Sequence, residues 1–157
     1  QVRLHMTQPK DWRLGKTLTL ARKKIAYDFV NSGVPHAVVV VKDLAACDVQ
    51  ALGSGIRCHK DFAPKGTNAN FIRITGPQSL HIRTYERGVE AETLACGTGI
   101  VASALVSGRQ GRVNPPVSVT AASGDVLTVD FRLTKNGAED VTLLGPAVHV
   151  FKGSLEY

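Results

Sequence analysis

The chain is short of several things that would classify it at once. In 157 residues there are three cysteines, one tryptophan and one methionine, and aromatic side chains make up 6%. Cys47, Cys58 and Cys96 are odd in number and lack framework spacing, which argues against a disulfide-stapled secreted fold and for a reducing compartment, the cytoplasm. No apolar run approaches the roughly 20 residues of a membrane-spanning helix, so no membrane association is expected. Internal repeats, heptads and low-complexity tracts are missing. So is a signal-peptide pattern, and a chain opening at Gln1 is expected to be processed, trimmed or partial. Several chemical signatures are missing as well. Cys58-His59 has no paired neighbours at zinc-ligand spacing, Gly53-Ser54-Gly55 lacks the nucleophile-elbow spacing, and Gly97-x-Gly99 lacks the third glycine of a dinucleotide fingerprint. What remains is the composition of an ordinary globular domain, long enough to bury a core without staples.

The formal charge of +6 is unevenly placed. Residues 1–24 carry seven basic side chains (Arg3, Lys10, Arg13, Lys16, Arg22, Lys23, Lys24) against Asp11, whereas the remainder holds twelve of each sign. A basic leader whose one aromatic is Trp12 reads as a solvated or interdomain surface rather than a nucleic-acid site. Residues 1–30 are therefore set apart as a leading segment at a domain boundary.

Within the leader, a short strand is expected over Val2–Met6, then a loop through Pro9, then a second short strand near Leu18–Leu20. Ser32-Gly33-Val34-Pro35 reads as a turn, and His36 to Val41 as a strand buried on both faces. Asp48 can cap a short helix in which Val49, Leu52 and Ile56 recur at helical spacing. A long polar loop from Cys58 to Asn68 precedes strands at Phe71–Thr75 and Leu80–Tyr85. Ile100–Val106 is small or aliphatic on every side and predicts a helix buried all round. Beyond it, Val117–Thr120, Leu127–Phe131, Val141–Leu144 and Ala147–Phe151 read as strands, with turns at Ser123-Gly124-Asp125 and Asn136-Gly137. Many strands and one apolar helix predict an α+β fold: a mostly antiparallel, barrel-like sheet wrapped around that helix.

The helix start carries the chemistry. A thiol at a helix N-terminus meets unpaired N–H groups and the positive end of the macrodipole, which favour the thiolate. The same N–H groups, approachable at Gly97 and Gly99, suit a carboxylate. Equally, Cys96 reads as a small buried hydrophobe before a glycine turn, and the local residues leave both readings open. Glu86-Arg87 is surface ion-pair material or the two halves of an amino-acid clamp. Asn68 is a turn former or a ligand amide, and His36 a satisfied core histidine or a base.

Tyr85-Glu86-Arg87-Gly88 followed by Glu92-Thr93-Leu94-Ala95-Cys96-Gly97-Thr98-Gly99 resembles the second cysteine signature of the diaminopimelate epimerase family. Gly33-Val34-Pro35-His36, Phe62-Ala63-Pro64-Lys65-Gly66-Thr67-Asn68, Gly145-Pro146-Ala147 and Val150-Phe151 fall in the family's order. The resemblance covers residues 31–157 clearly and the leader loosely. It implies two similar domains, each a sheet around a central helix, of which residues 31–157 would be the second and the first would be absent.

It further implies a cofactor-independent, metal-free, two-base epimerisation of LL- to meso-diaminopimelate, in lysine and cell-wall precursor synthesis. Cys96 would be one base, with Gly97 and Thr98 as backbone donors. Asn68, Glu86 and Arg87 would hold the distal head of the substrate, and His36 and Glu86 would modulate the cysteine pKa. The second cysteine would come from the first domain, so that this chain alone would be inactive. A homodimer is compatible with the resemblance. Neither Cys47 nor Cys58 lies in anything resembling the first-domain motif. Val34 stands where much of the family has an asparagine, and the loop from Arg87 to Glu92 is one residue longer than in many members. Those departures keep two alternatives in view: another amino-acid racemase or epimerase of the same fold, or a non-catalytic amino-acid-binding module.

Overall fold

The computed structural model describes residues 1–155; Glu156 and Tyr157, the end of the span assigned to the second domain, lie outside the described residues. Among those described, the chain forms one ten-stranded sheet and two α-helices. The strands are β1 (Val2–His5), β2 (Lys10–Leu20), β3 (Lys23–Asn31), β4 (Pro35–Val40), β5 (Asn68–Gly76), β6 (Ser79–Glu86), β7 (Ala91–Thr93), β8 (Val117–Thr120), β9 (Val126–Thr134) and β10 (Gly137–Gly145). Helix α1 spans Val49–Arg57 and α2 spans Gly97–Arg109. The order across the sheet is β1-β10-β9-β8-β6-β5-β4-β3-β2, with β7 on β6. Only β4·β5 and β6·β8 pair in parallel; the other ladders are antiparallel, as expected for this architecture. The two edge strands, β1 and β2, are consecutive in sequence, so the sheet curls until its edges are a short loop apart.

Helix α2 lies inside the curl. Residues 99–108 are all buried, which leaves the helix no water-facing stripe and explains its unpatterned apolar sequence. Around it pack Val30, Val38, Ile72, Leu80, Ile82, Val119, Val129, Phe131 and Leu143. On the outer face, Phe29, Ala37, Val39, Ala69, Phe71 and Tyr85 form a second cluster under α1 and Phe62. β4 contributes to both, Val38 inward and Ala37 and Val39 outward, so its continuous apolar run is the expected two-faced strand. Asp48 caps α1 as its sequence suggests, accepting from the Ala51 N–H at 3.0 Å. The glycines that weaken α1 in isolation are packing requirements. A Cβ at Gly53 would stand 2.3 Å from Tyr85 Cβ, and one at Gly55 would stand 2.6 Å from a Leu20 methyl.

Three expectations are corrected. Residues 10–20 are one long strand rather than a loop and a short strand. Its apolar residues keep a period of two interrupted by Lys16, and register shifts after Lys10 and after Arg13, with Asp11 and Gly15 at φ +57° and +61°, bend the strand between them. Trp12 and Leu14 therefore pack on the α2 side, whereas Leu18 and Leu20, of the same parity, pack on the α1 side. Asn68 opens strand β5 instead of ending the loop, which holds a 3-10 turn at Lys60–Phe62. Residues 147–151 form no strand: β10, the strand before them, is already flanked by β9 and β1, and Val148, Val150 and Phe151 stay exposed. The three-residue strand β7, too short for a periodic signal, was not expected.

Candidate active site

Strand parity builds the site. The inner face is apolar along the body of α2, through Val30, Val38, Ile72 and Ile82. Two residues further along each strand, level with the helix N-terminus, the same face turns polar: Ser32 after β3, His36 on β4, Asn70 on β5 and Thr84 on β6, all buried. The next residues outward at that end are Asn68 and Glu86.

Cys96 is the N-cap of α2, with φ −132° and ψ 106° and no side-chain hydrogen bond capping the helix. A Ser, Thr, Asp or Asn would normally satisfy an amide there, so this helix start forgoes a cap and presents sulfur instead. Thr98 Oγ1 lies 3.6 Å from Sγ, and the Thr98 and Gly99 N–H groups also face the sulfur. Gly97, the first helical residue, is exposed, and a Cβ there would make only an ordinary 3.4 Å contact with Leu143. Gly99 has no such room. A Cβ would stand 2.5 Å from Asn70 Oδ1 and 3.3 Å from both Cys96 Sγ and His36 Cε1. The two glycines thus serve different ends, one keeping the approach open and the other letting the helix touch the polar layer.

His36 Nε2 lies 2.9 Å from Thr98 Oγ1 and its Nδ1 lies 3.0 Å from Asn70 Nδ2. Its pKa is lowered to about 3, first by burial and further by the nearby Arg87 charge. The ring is neutral at physiological pH and is neither imidazolium nor a bulk-facing base. Burial also dominates Cys96 and pushes its thiol up. The Thr98 hydroxyl and the Gly99 and Thr98 amides pull the other way, while the Glu86 carboxylate adds to the rise. The thiolate expected from the helix terminus alone is therefore offset by desolvation.

Asn68, Glu86 and Arg87 gather beside this layer. Asn68 Nδ2 donates to the Pro35 carbonyl at 3.0 Å and its Oδ1 accepts from the Arg87 N–H at 2.7 Å, so the amide ties β4 to the end of β6. Glu86 accepts from the Thr93 hydroxyl at 3.0 Å. The Arg87 guanidinium donates to the Lys65 and Gly66 carbonyls at 3.2 and 3.5 Å. The following turn is pinned by Glu90, which takes the Gly88 N–H at 3.0 Å and Arg57 Nε at 2.9 Å. Sequence reasoning missed Ser32, Asn70 and Thr84. Their signal was a polar residue two positions from an inward apolar one, readable only once the inner face is known. Ser32 Oγ donates to the Thr98 carbonyl at 2.7 Å and fixes the helix start to β3.

Among the described residues, no cluster of three His, Cys, Asp or Glu side chains could hold a metal ion, and no helix is long and apolar enough to cross a membrane. Cys47 is half-buried and Cys58 exposed, and neither is disulfide-bonded.

The sequence model of the family described as diaminopimelate epimerase matches residues 29–150. A diaminopimelate epimerase of Aquifex aeolicus (strain VF5) is 45% identical over 99% of this chain and 54% of its own length. One of Chlorobaculum tepidum is 46% identical over 98% of this chain and 58% of its own. The chain thus spans little more than half the length of these relatives. Among solved structures, a hydroxyproline epimerase from Agrobacterium vitis with bound trans-4-hydroxy-L-proline superposes with TM-score 0.67 at 21% identity, over 91% of this chain and 48% of that one. A probable proline racemase from Agrobacterium radiobacter K84 does so with TM-score 0.68 at 15% identity, over 95% and 53%. These structural likenesses establish the fold.

Proposed function

The chain belongs to the diaminopimelate epimerase family, and from that premise we propose that it is the second half of an enzyme inverting one α-carbon of diaminopimelate without a cofactor. Cys96 is one of two acid-base groups. As thiolate it removes the α-proton from one face, and a cysteine from the other half of the protein, as thiol, protonates the opposite face. The observation that carries this reading is the sulfur itself: an uncapped N-terminus of a fully buried helix, met by the Thr98 hydroxyl and two amides.

The geometry supports the remaining roles. An α-carboxylate approaching over exposed Gly97 meets the positive end of α2, and the same N–H groups stabilise the charge that develops as the α-proton leaves. Glu86 and Arg87 supply an acceptor for the distal ammonium and a fork for the distal carboxylate, with Asn68 fixing the backbone on which Arg87 stands. The reaction is placed in the cytoplasm, in keeping with three free thiols.

Inversion needs a group on each face, so the chain alone should exchange the α-proton but not invert. The test is this chain in deuterated water with LL- and meso-diaminopimelate, followed by proton NMR and chiral analysis. Exchange with retention, lost in Cys96→Ala, is expected, with inversion appearing when the other domain is added. Inversion by this chain alone, or exchange that survives Cys96→Ala, would overturn the assignment. A second reading, the same chemistry on another amino acid, is favoured by Val34 in place of the asparagine common in the family. Comparing turnover of diaminopimelate, glutamate and hydroxyproline by the two-domain protein separates the two.

A further inference from the structure

We propose that Asn70 is a positioning residue: anchored by the Ala37 carbonyl, it fixes the tautomer of His36 so that the Thr98 hydroxyl donates to the sulfur of Cys96. The inference rests on the reading of Cys96 as the reacting group and adds to it a buried relay that sets the sulfur's hydrogen bonding.

Valence dictates the direction of every link. The Ala37 carbonyl can only accept, so the Asn70 atom 3.2 Å from it is the NH2 group. The second hydrogen of that NH2 points to His36 Nδ1 at 3.0 Å, which must then be the unprotonated, accepting nitrogen. A neutral ring with an accepting Nδ1 carries its proton on Nε2, and Nε2 faces Thr98 Oγ1 at 2.9 Å. The Thr98 oxygen is thereby an acceptor for histidine, and its own proton is free for Cys96 Sγ at 3.6 Å. At the far end Thr84 Oγ1 donates to Asn70 Oδ1 at 3.0 Å, holding the amide against rotation. Thr84, Asn70, His36 and Thr98 thus all donate in one direction, toward sulfur.

The arrangement has a purpose that core packing does not supply. Thr84, Asn70 and His36 are buried, with at most 3% exposure, on the face that is apolar through Val30, Val38, Ile72 and Ile82, and buried polar side chains are retained at a cost unless fully partnered. Their pairing delivers one extra donor to a sulfur whose charged form burial disfavours. Asn70 hydrogen-bonds His36, the Ala37 carbonyl and Thr84 and not Cys96, so its effect runs through His36 and Thr98. The charged groups that also face this layer are Glu86 at the end of β6 and Arg87 just after it, and both are left intact in every variant below.

The test needs no substrate. Long-range 1H–15N correlation on the 157-residue chain reads the His36 tautomer directly, and proton on Nε2 is expected. A proton on Nδ1, or on both nitrogens at neutral pH, would overturn the relay. In Asn70→Asp the carboxylate can only accept, so Nδ1 must take the proton, as carboxylate–histidine pairs do, and Nε2 then accepts from Thr98. At about pH 8, well above the roughly 6.5 of a free imidazole, iodoacetamide modification of Cys96, resolved from Cys47 and Cys58 by peptide mass spectrometry, should slow about tenfold. An inverted tautomer with an unchanged rate at Cys96 would refute the proposal. Should Asn70→Asp fail to fold, Thr98→Val keeps the tautomer and removes the last donor; a comparable slowing is expected, and its absence would equally refute it. If these results hold while the chain exchanges no α-proton, it is the epimerase reading that fails and the relay that stands.

Discussion

His36 sits in the environment furthest from water of any titratable side chain at the site. Its folded pKa of about 3 lies below the ordinary 6.5, with burial the first cause. Between those values the unfolded chain binds a proton that the folded chain refuses, so stability falls as pH falls, by about 1.4 kcal/mol per unit below about pH 6.5, and is flat above it. Urea midpoints measured from about pH 8 to about pH 4 should show this slope in the wild type. His36→Gln should start lower and decline less over the same window, and an equal decline in both would assign the slope to another group. The sequence offered Cys96, His36 and Glu86 as candidates, the first before Gly97, the second after Pro35 and the third beside Arg87, each open to a structural reading until the family motif is matched. Asn70, Thr84 and Ser32 stayed hidden because an asparagine, threonine or serine in a strand gains meaning only from the face it occupies, which is a tertiary fact.

Strand β3 holds the whole length of α2. Its inward positions are Asp28, Val30 and, one step past its end, Ser32; they meet the C-terminal end, the middle and the N-terminus of the helix. At the lower end the Asp28 carboxylate, 3% exposed, accepts from Arg112 at 2.6 Å, from Gln110 at 2.8 Å and from the Gly15 N–H at 2.8 Å. Asp28→Asn keeps the shape, cancels the charge opposite Arg112 and turns one oxygen into a donor facing donors. A loss of about 2–3 kcal/mol in urea unfolding is expected, and a loss within about 0.5 kcal/mol would mean that the clamp is solvated and contributes little. The helix was legible because Ile100–Val106 is small or aliphatic at every position over a longer run than the Ala37–Val41 stretch of β4. β2 was not, because Gly15 and Lys16 interrupt its alternation where a bulge moves its apolar residues from one face to the other. The strand expected over 147–151 failed for the opposite reason: its pattern is sound, but β10, the strand it would fold back on, already has a neighbour on each side.

At the scale of the molecule, the sheet is a sleeve and α2 a rod held in it by strands on all sides, with the Cys96 sulfur at the rod's N-terminal end. A residue within 99–108 has no neighbour that is free to move aside, since interiors at native density tolerate neither added volume nor voids cheaply. The polar layer is equally committed, each group to a partner across a strand. The rim is less crowded: Val34 is half-buried, and Gly88, Val89 and Glu90 are exposed in the turn after Arg87, pinned only through Glu90. The fold therefore separates what can be inherited unchanged from what can be rewritten. Laboratory selection of the two-domain protein for turnover of a different amino acid should collect substitutions at Val34 and in 87–90 and leave 99–108 untouched, as sequencing of the survivors would reveal. Survivors altered chiefly inside the rod would mean that the sleeve yields more readily than its packing implies. Where the pattern holds, new specificity costs this architecture little of its stability, because the selected positions are not the ones that hold the molecule together.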